Sequence, residues 1–232
     1  MKPVSGESGI LLIDKPYRWT SFDVVNKVRS VIKNQTGVRF KVGHAGTLDP
    51  LATGLLIICY GKETKSISRF MEFDKEYIAT VKLGATTPSF DLEKPIDQIF
   101  PFEHITQDMV KEVLVKYTGE QNQVPPIFSA KWIDGKRAYK YAREGEEIEI
   151  KPVSVNIYKL ELISFDLPEI TIKINCSRGT YIRAIARDIG LDLQSGAHLT
   201  SLRRTRIGEY NVEQAIVPDE FVRLMNEPES FS

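Results

Sequence analysis

Cysteine and histidine are scarce: the 232 residues contain two of the first and three of the second. Cys59 and Cys176 both lie in apolar, strand-like runs, as reduced core thiols do, and form neither a disulfide framework nor a metal pair. His44, His104 and His198 have no ligand spacing, so no metal and no cofactor is expected. No apolar run approaches 18 residues, which removes a membrane-spanning helix from consideration. The opening MKPVSGESG has no secretory hydrophobic core, so a cytoplasmic location is expected. The G-x-x-x-x-G-K-[ST] sequence that cradles nucleotide phosphates is missing too.

Net charge is also lacking: 31 Lys and Arg balance 31 Asp and Glu. Read as a total, that argues against a nucleic-acid partner, but the distribution does not. Residues 1–70 carry 11 Lys/Arg against 5 Asp/Glu, and residues 177–206 carry 6 against 2. The segments 71–176 and 207–232 are each acidic by 5 charges. A polyanion responds to local clusters rather than to the sum; the competing reading is ordinary charge variation over a solvated surface. At 42% hydrophobic and 27% charged, the chain is long enough and apolar enough to bury a substantial core.

The stretch VGHAGTLDPLAT, residues 42–53, organises the rest. It is a glycine-rich, proline-kinked loop carrying one carboxylate, Asp49, and it feeds Leu55-Leu56-Ile57-Ile58-Cys59-Tyr60, a buried strand by its continuous apolarity. Spacing leaves two readings of Asp49 open. Asp before Pro commonly opens a turn, while loops delivered by rigid elements often carry catalytic groups.

Around this loop the pattern predicts a strand over Gly9–Ile13 and a helix from Thr20 or Ser21 to about residue 34, with Asp23 in its first turn. Lys62–Phe73 reads as helical and Tyr77–Leu83 as an alternating strand. Residues 85–104 read as an irregular loop, and Thr106–Tyr117 as a capped helix. Asp134-Gly135 marks a tight turn within a stretch that mixes Lys131, Lys136, Arg137, Lys140 and Arg143 with Trp132, Tyr139 and Tyr141. Such a mixture suits phosphate neutralisation with base stacking, or equally a hairpin with one solvated face. Ile148–Phe165 and Ile170–Ser177 predict an antiparallel pair. The helix after it puts Arg183 near its positive end, where a cation is disfavoured unless an anion meets it; the plain alternative is a surface arginine paired with Asp188. A basic strand follows over His198–Arg206, then an acidic tail with a short helix near Pro218–Met225.

GHAGTLDPLATG closely resembles the signature loop of the TruB family of tRNA pseudouridine synthases. So do GILLIDKPYRWTS (residues 9–21), Lys75-Glu76-Tyr77, Gln123-Val124-Pro125-Pro126 with Ser129-Ala130, RGTYIR (178–183) and AHLTSLRR (197–204), in the same order over residues 9 to 206. One departure is Arg18, which stands where the family usually has glycine.

The resemblance implies an α+β pseudouridine synthase fold: a mixed, mainly antiparallel sheet flanked by helices, with an inserted RNA-gripping segment at about 120–150. It implies a single catalytic domain over 1–232, with 207–232 as an acidic tail. At this length, the C-terminal PUA-type domain of many bacterial members is not expected. The implied enzyme isomerises uridine 55 in the T-loop of tRNA, with Asp49 catalytic. His44, Tyr77, Tyr181, Arg183 and Leu202 are implied to bind substrate. Tyr77 would stack on the uracil, His44 would fill its vacated place, and Arg183 would meet the catalytic carboxylate. The expected partner is the tRNA T-stem-loop, with no membrane, no obligatory protein partner and a monomeric state. A non-catalytic RNA-binding module is one rival reading. A glycoside hydrolase is another, weakened by the want of a second carboxylate in a comparable loop.

Overall fold

The structure is a computed structural model that describes residues 4, 6–129, 132–133, 136–137, 141 and 150–227. Its elements, in order, are β1 (Gly9–Lys15), α1 (Ser21–Thr36), β2 (Val42–His44), β3 (Thr53–Tyr60), α2 (Ile67–Glu72), β4 (Lys75–Leu83), β5 (Ala85–Thr86), β6 (Gln98–Ile99) and α3 (Gln107–Lys116). Then follow β7 (Gly119–Gln123), β8 (Trp132–Ile133), β9 (Lys136–Arg137), β10 (Val153–Asp166), β11 (Glu169–Cys176), α4 (Ile182–Asp192), β12 (Ala197–Ile207), β13 (Tyr210–Asn211) and α5 (Pro218–Asn226). The result is an α+β architecture, as expected. The chain forms two compact units, residues 1–77 with 202–232 and residues 78–201.

In the first unit β3 is central. β1 lies antiparallel on one side of it, from Gly9 opposite Tyr60 to Lys15 opposite Gly54. The other side is shared: β2 pairs antiparallel with residues 58–60 and β12 pairs parallel at Thr53 and Gly54. With a core cluster against each face, β3 is buried on both, which is why its sequence is continuously apolar. Leu56, Ile58 and Tyr60 join a cluster with α1 (Val24, Val25, Val28, Ile32) and α5 (Phe221, Met225). Leu55, Ile57 and Cys59 face a second cluster with Phe70, Ile207 and Val212. Burial drives the Cys59 thiol up to about 12, so it stays a neutral core group. The predicted α1 starts at Thr20, whose hydroxyl accepts from the Asp23 amide while Asp23 accepts from the Thr20 amide. This capping box satisfies two amides that the helix leaves without partners. Within the acidic tail, α5 buries Phe221 and Met225 and so is part of this core.

Lys62–Phe73 is not one helix. Gly61–Ser66 is a 3₁₀ turn, and α2 begins only at Ile67. Ser66, at φ −86° and ψ −2°, separates the two.

In the second unit the strand order is β4-β11-β10-β7. β10 and β11 form the predicted antiparallel pair, with register shifts between Ile157 and Lys159 and between Leu162 and Ser164. Ile170, Ile172, Ile174 and Cys176 alternate inward, as one buried face requires. α3 packs on β10 and on α4. Residues 85–104 are less irregular than composition suggests, because β5 and β6 pair antiparallel through Ala85–Ile99 and Thr86–Gln98. Of the 120–150 segment, β8 and β9 pair as a short hairpin; Lys131, Asp134-Gly135, Tyr139, Lys140 and Arg143 lie outside the described residues. Among the described residues, no helix is long and apolar enough to cross a membrane.

Candidate active site

The Asp49 loop spans the gap between the two strands that share an edge of β3. Between His44, opposite Ile58, and Arg204, opposite Gly54, the ladder on that edge is interrupted. Two carbonyls of β3 would lose their partners there. The Ala45 amide takes Ile57 O at 2.9 Å, and the Arg204 side chain takes Leu55 O through Nε at 2.8 Å. The same guanidinium reaches Gly46 O at 3.2 Å through Nη2. One buried arginine thus completes the sheet and ties down the loop's entry.

Backbone geometry demands glycine at both ends of the loop. Gly46 has φ +97° and Gly54 φ +106°, a region essentially closed to L side chains. Between them each neighbour of Asp49 is held. The Ser21 hydroxyl accepts from the Leu48 amide at 2.9 Å and donates to its carbonyl at 3.2 Å. Pro50 O accepts from the Arg18 amide at 2.8 Å and from Lys15 Nζ at 3.4 Å. Lys15 Nζ also donates to Trp19 O at 2.6 Å and Pro16 O at 3.1 Å. Asp49 itself is half-buried, and its own carbonyl accepts from the Ala52 amide at 3.0 Å. The resulting loop is rigid, anchored by polar side chains that all sit inside the protein.

These anchors set the local electrostatics. Lys15 is fully buried. Burial lowers its pKa from 10.5 to about 8, with the Arg204 charge pushing the same way and the Asp49 and Asp23 carboxylates pulling it back up. The His44 imidazole is pushed down by burial and then by Arg204, against a weaker opposing pull from the Gly46 backbone, so it is neutral at pH 7. His44 Nδ1 is enclosed, and among the described residues it has no partner at hydrogen-bonding geometry.

Of the residues assigned by resemblance, His44, Asp49, Tyr77 and Leu202 lie in the first unit. His44 ends β2 where the loop begins, and Leu202 precedes Arg203, which pairs with Thr53 at the loop's exit. Tyr77 is on the buried face of β4. Its neighbour Glu76 accepts from the Thr205 hydroxyl of β12 at 2.8 Å.

Tyr181 and Arg183 belong to the second unit. Gln123, at the end of β7, grips the Tyr181 backbone twice, donating to its carbonyl at 3.1 Å and accepting from its amide at 2.8 Å. That fixes the start of α4. Arg183 is 4% exposed and donates to Ser89 O at 3.1 Å and Phe128 O at 2.9 Å, with Asp91 at 3.7 Å. It is therefore not the surface arginine of the plain reading, and Asp188 pairs instead with Arg187 at 2.7 Å. Sequence patterns had not singled out Arg204, Ser21 or Gln123 as anchors. Lys15, at the end of β1, is fully buried and serves as a scaffold for the strand exit.

Comparison with known proteins bears on the family and the fold. Residues 31–182 match the model of the TruB family pseudouridylate synthase N-terminal domain, and residues 183–228 that of the tRNA pseudouridylate synthase B C-terminal domain. The chain is 55% identical over 224 residues to a tRNA pseudouridine synthase B of Phocaeicola vulgatus, covering 96% of this chain and 95% of that one. It is 56% identical over 218 residues to one of Parabacteroides distasonis, covering 94% and 92%. Among solved structures it resembles a chain of a Cbf5-Nop10-Gar1 complex, with TM-score 0.70, 24% identity and coverage of 95% of this chain and 60% of that one. It also resembles a chain of an H/ACA RNP bound to a substrate RNA, with TM-score 0.68, 24% identity and coverage of 93% and 52%. These two likenesses show a shared fold. The chain belongs to the TruB family of pseudouridine synthases, which are isomerases.

Proposed function

We propose that this chain converts uridine 55 in the T-loop of tRNA to pseudouridine, with Asp49 as the catalytic carboxylate. The observation that carries the reading is the Asp49 loop itself: one half-buried acid whose two neighbours are each pinned by a side chain from α1 or β1, in a chain that matches tRNA pseudouridine synthase B relatives almost end to end. The reaction breaks the C1′–N1 bond, turns the uracil while it stays bound, and joins C1′ to C5. Cleavage develops positive character on the sugar, which an ionised carboxylate placed in advance stabilises. Asp49 acts by adding to C1′, by adding to C6, or by taking the C2′ proton. No electron donor or energy donor enters the balance.

The target base is stacked inside an RNA loop and has to be extruded, at a cost of a few kcal/mol. In this reading Tyr77 offers the extruded uracil an aromatic face, His44 fills the place it leaves, and Leu202, Tyr181 and Arg183 complete substrate binding. Neutral His44 suits a role that needs a flat ring and no charge. Residues 1–232 act as one catalytic domain, as a cytoplasmic monomer without a protein partner, and the segment around 120–150 contributes RNA contacts.

The test is pseudouridine mapping in unmodified tRNA after incubation with the purified chain alone. Product at the T-loop uridine is expected, and its formation on bare tRNA excludes a need for a guide RNA. Asp49→Asn should abolish product while leaving T-stem-loop binding largely intact; turnover by that variant in a tritium-release assay refutes the assignment.

A further inference from the structure

The turn between β1 and α1 holds an arginine in a conformation that suits glycine. Arg18 has φ +66°, a region in which a side chain is strained against its own backbone. Its amide nonetheless donates to Pro50 O at 2.8 Å, so the turn keeps this geometry to hold the peptide beside Asp49. Glycine would serve that purpose without strain. The arginine side chain returns nothing to the core: it is exposed, and among the described residues its guanidinium meets no carboxylate. Instead it lies over the Tyr17 ring at 5.5 Å, and Tyr17 is 47% exposed. Nearby Phe22, in the first turn of α1, is 59% exposed. The one acid close by in sequence, Asp23, is occupied by the Thr20 amide and hydroxyl at 2.8 and 2.7 Å. This corner is thus a cation set over an aromatic ring, with a second exposed aromatic four residues on and one hydrogen bond to the Asp49 loop.

We infer that Arg18, stacked on Tyr17, binds a backbone phosphate of the substrate RNA close to the target uridine. A planar guanidinium suits phosphate oxygens bidentately, and the ring beneath it limits the rotamer freedom lost on binding. Basic groups interleaved with exposed aromatics are how single-stranded RNA is gripped without base readout. The surrounding segment, residues 1–70, carries the larger positive excess of the chain. The inference rests on the proposed RNA substrate and adds a contact to it. Because Arg18 is anchored through Pro50, the phosphate it holds is fixed relative to the reacting acid.

The decisive variant is Arg18→Gly, which suits the positive φ of this turn, with its urea-unfolding midpoint checked against wild type. Fluorescence anisotropy of a labelled tRNA T-stem-loop over a salt series should show about 3- to 10-fold weaker binding than wild type near 0.1 M salt. The slope of log affinity against log salt should be shallower by roughly 0.7 to 0.9, the release of one counterion. KM in turnover should rise by a similar factor, with a smaller change in kcat. Arg18→Lys should keep the salt slope but recover only part of the affinity. Equal affinity and equal slope in wild type and Arg18→Gly would overturn the inference. Wild-type binding without turnover would instead count against the proposed function, so the two failures are separable.

Discussion

Replacing Gly54 by alanine should damage this protein far more than the same change at Gly37. Both glycines have positive φ, +106° and +73°, so both substitutions carry backbone strain, about 1–2 kcal/mol near the ordinary left-handed region. At Gly37 that is the whole cost, because a Cβ there meets nothing within 4 Å. At Gly54 the added Cβ falls 2.2 Å from Arg204 O and 2.7 Å from Arg204 N, both backbone atoms of the paired strand. Ordinary contact needs 3.4 Å or more, so β3 and β12 have to part by over an ångström. That opens the parallel pairing at Thr53 and Gly54 and pulls Arg204 Nε from Leu55 O. Losing a buried hydrogen bond to a charged group costs roughly 1–3 kcal/mol. Together with the strain this gives about 2–5 kcal/mol, a large part of the roughly 5–15 kcal/mol that holds a typical domain. Urea unfolding followed by tryptophan fluorescence in a Trp132→Phe background would isolate Trp19, which packs against the first unit's core. The Gly54→Ala midpoint should fall well below that of Gly37→Ala. Equal midpoints would refute the claim that close strand approach, and not backbone conformation alone, demands glycine at the loop's exit.

Two further outcomes follow from the buried cations. Lys15 loses its proton near pH 8 in the fold but at about 10.5 when unfolded, so between those values the unfolded chain holds the extra proton and stability rises with pH, by up to about 3 kcal/mol; urea titrations at pH 7 and 10 should show wild type gaining on Lys15→Met, and parallel profiles would contradict the buried ammonium. Arg183→Lys cannot span Ser89 O, Phe128 O and Asp91 as a fork does, so turnover should fall more than T-stem-loop affinity, and a matching loss of affinity would make Arg183 a phosphate contact.

What the chain declares locally was readable. The apolar run of β3, the capped start of α1, the alternation of β4 and the paired β10 and β11 all follow from period, caps and turn residues, which act within a few positions. The polar anchors of the Asp49 loop act across the chain and leave no such trace. Lys15 reads like any strand-end lysine until Pro50 O is seen within its reach, 35 residues on. Arg204 looks like part of a basic surface strand, yet it is 1% exposed. Among Arg203, Thr205 and Arg206 of the same strand nothing local marks it, and only strand pairing reveals that it faces Gly54. Arg183 was suspicious at a helix start, where its charge is disfavoured; the carbonyls and Asp91 that resolve the conflict come from distant loops. Family resemblance supplied the site residues, whereas spacing alone left Asp49 divided between a turn cap and a catalytic role.

The anchors also bear on how the proposed chemistry could work. A loop can be held by neutral groups, as Ser21 holds Leu48, but two of the three anchors here are cations spent on carbonyl oxygens. Lys15 and Arg204 both donate to backbone carbonyls, and each brings its charge into the interior. Their mutual repulsion contributes to the low pKa of Lys15, and the attraction that opposes it comes first from Asp49. An acid meant to face a positively charged sugar has to be held in place before the substrate arrives. Building the clamp from buried cations holds the peptide on both sides of Asp49 and also sets fixed positive charge inside the protein around the loop, whereas a clamp of neutral donors would do only the first.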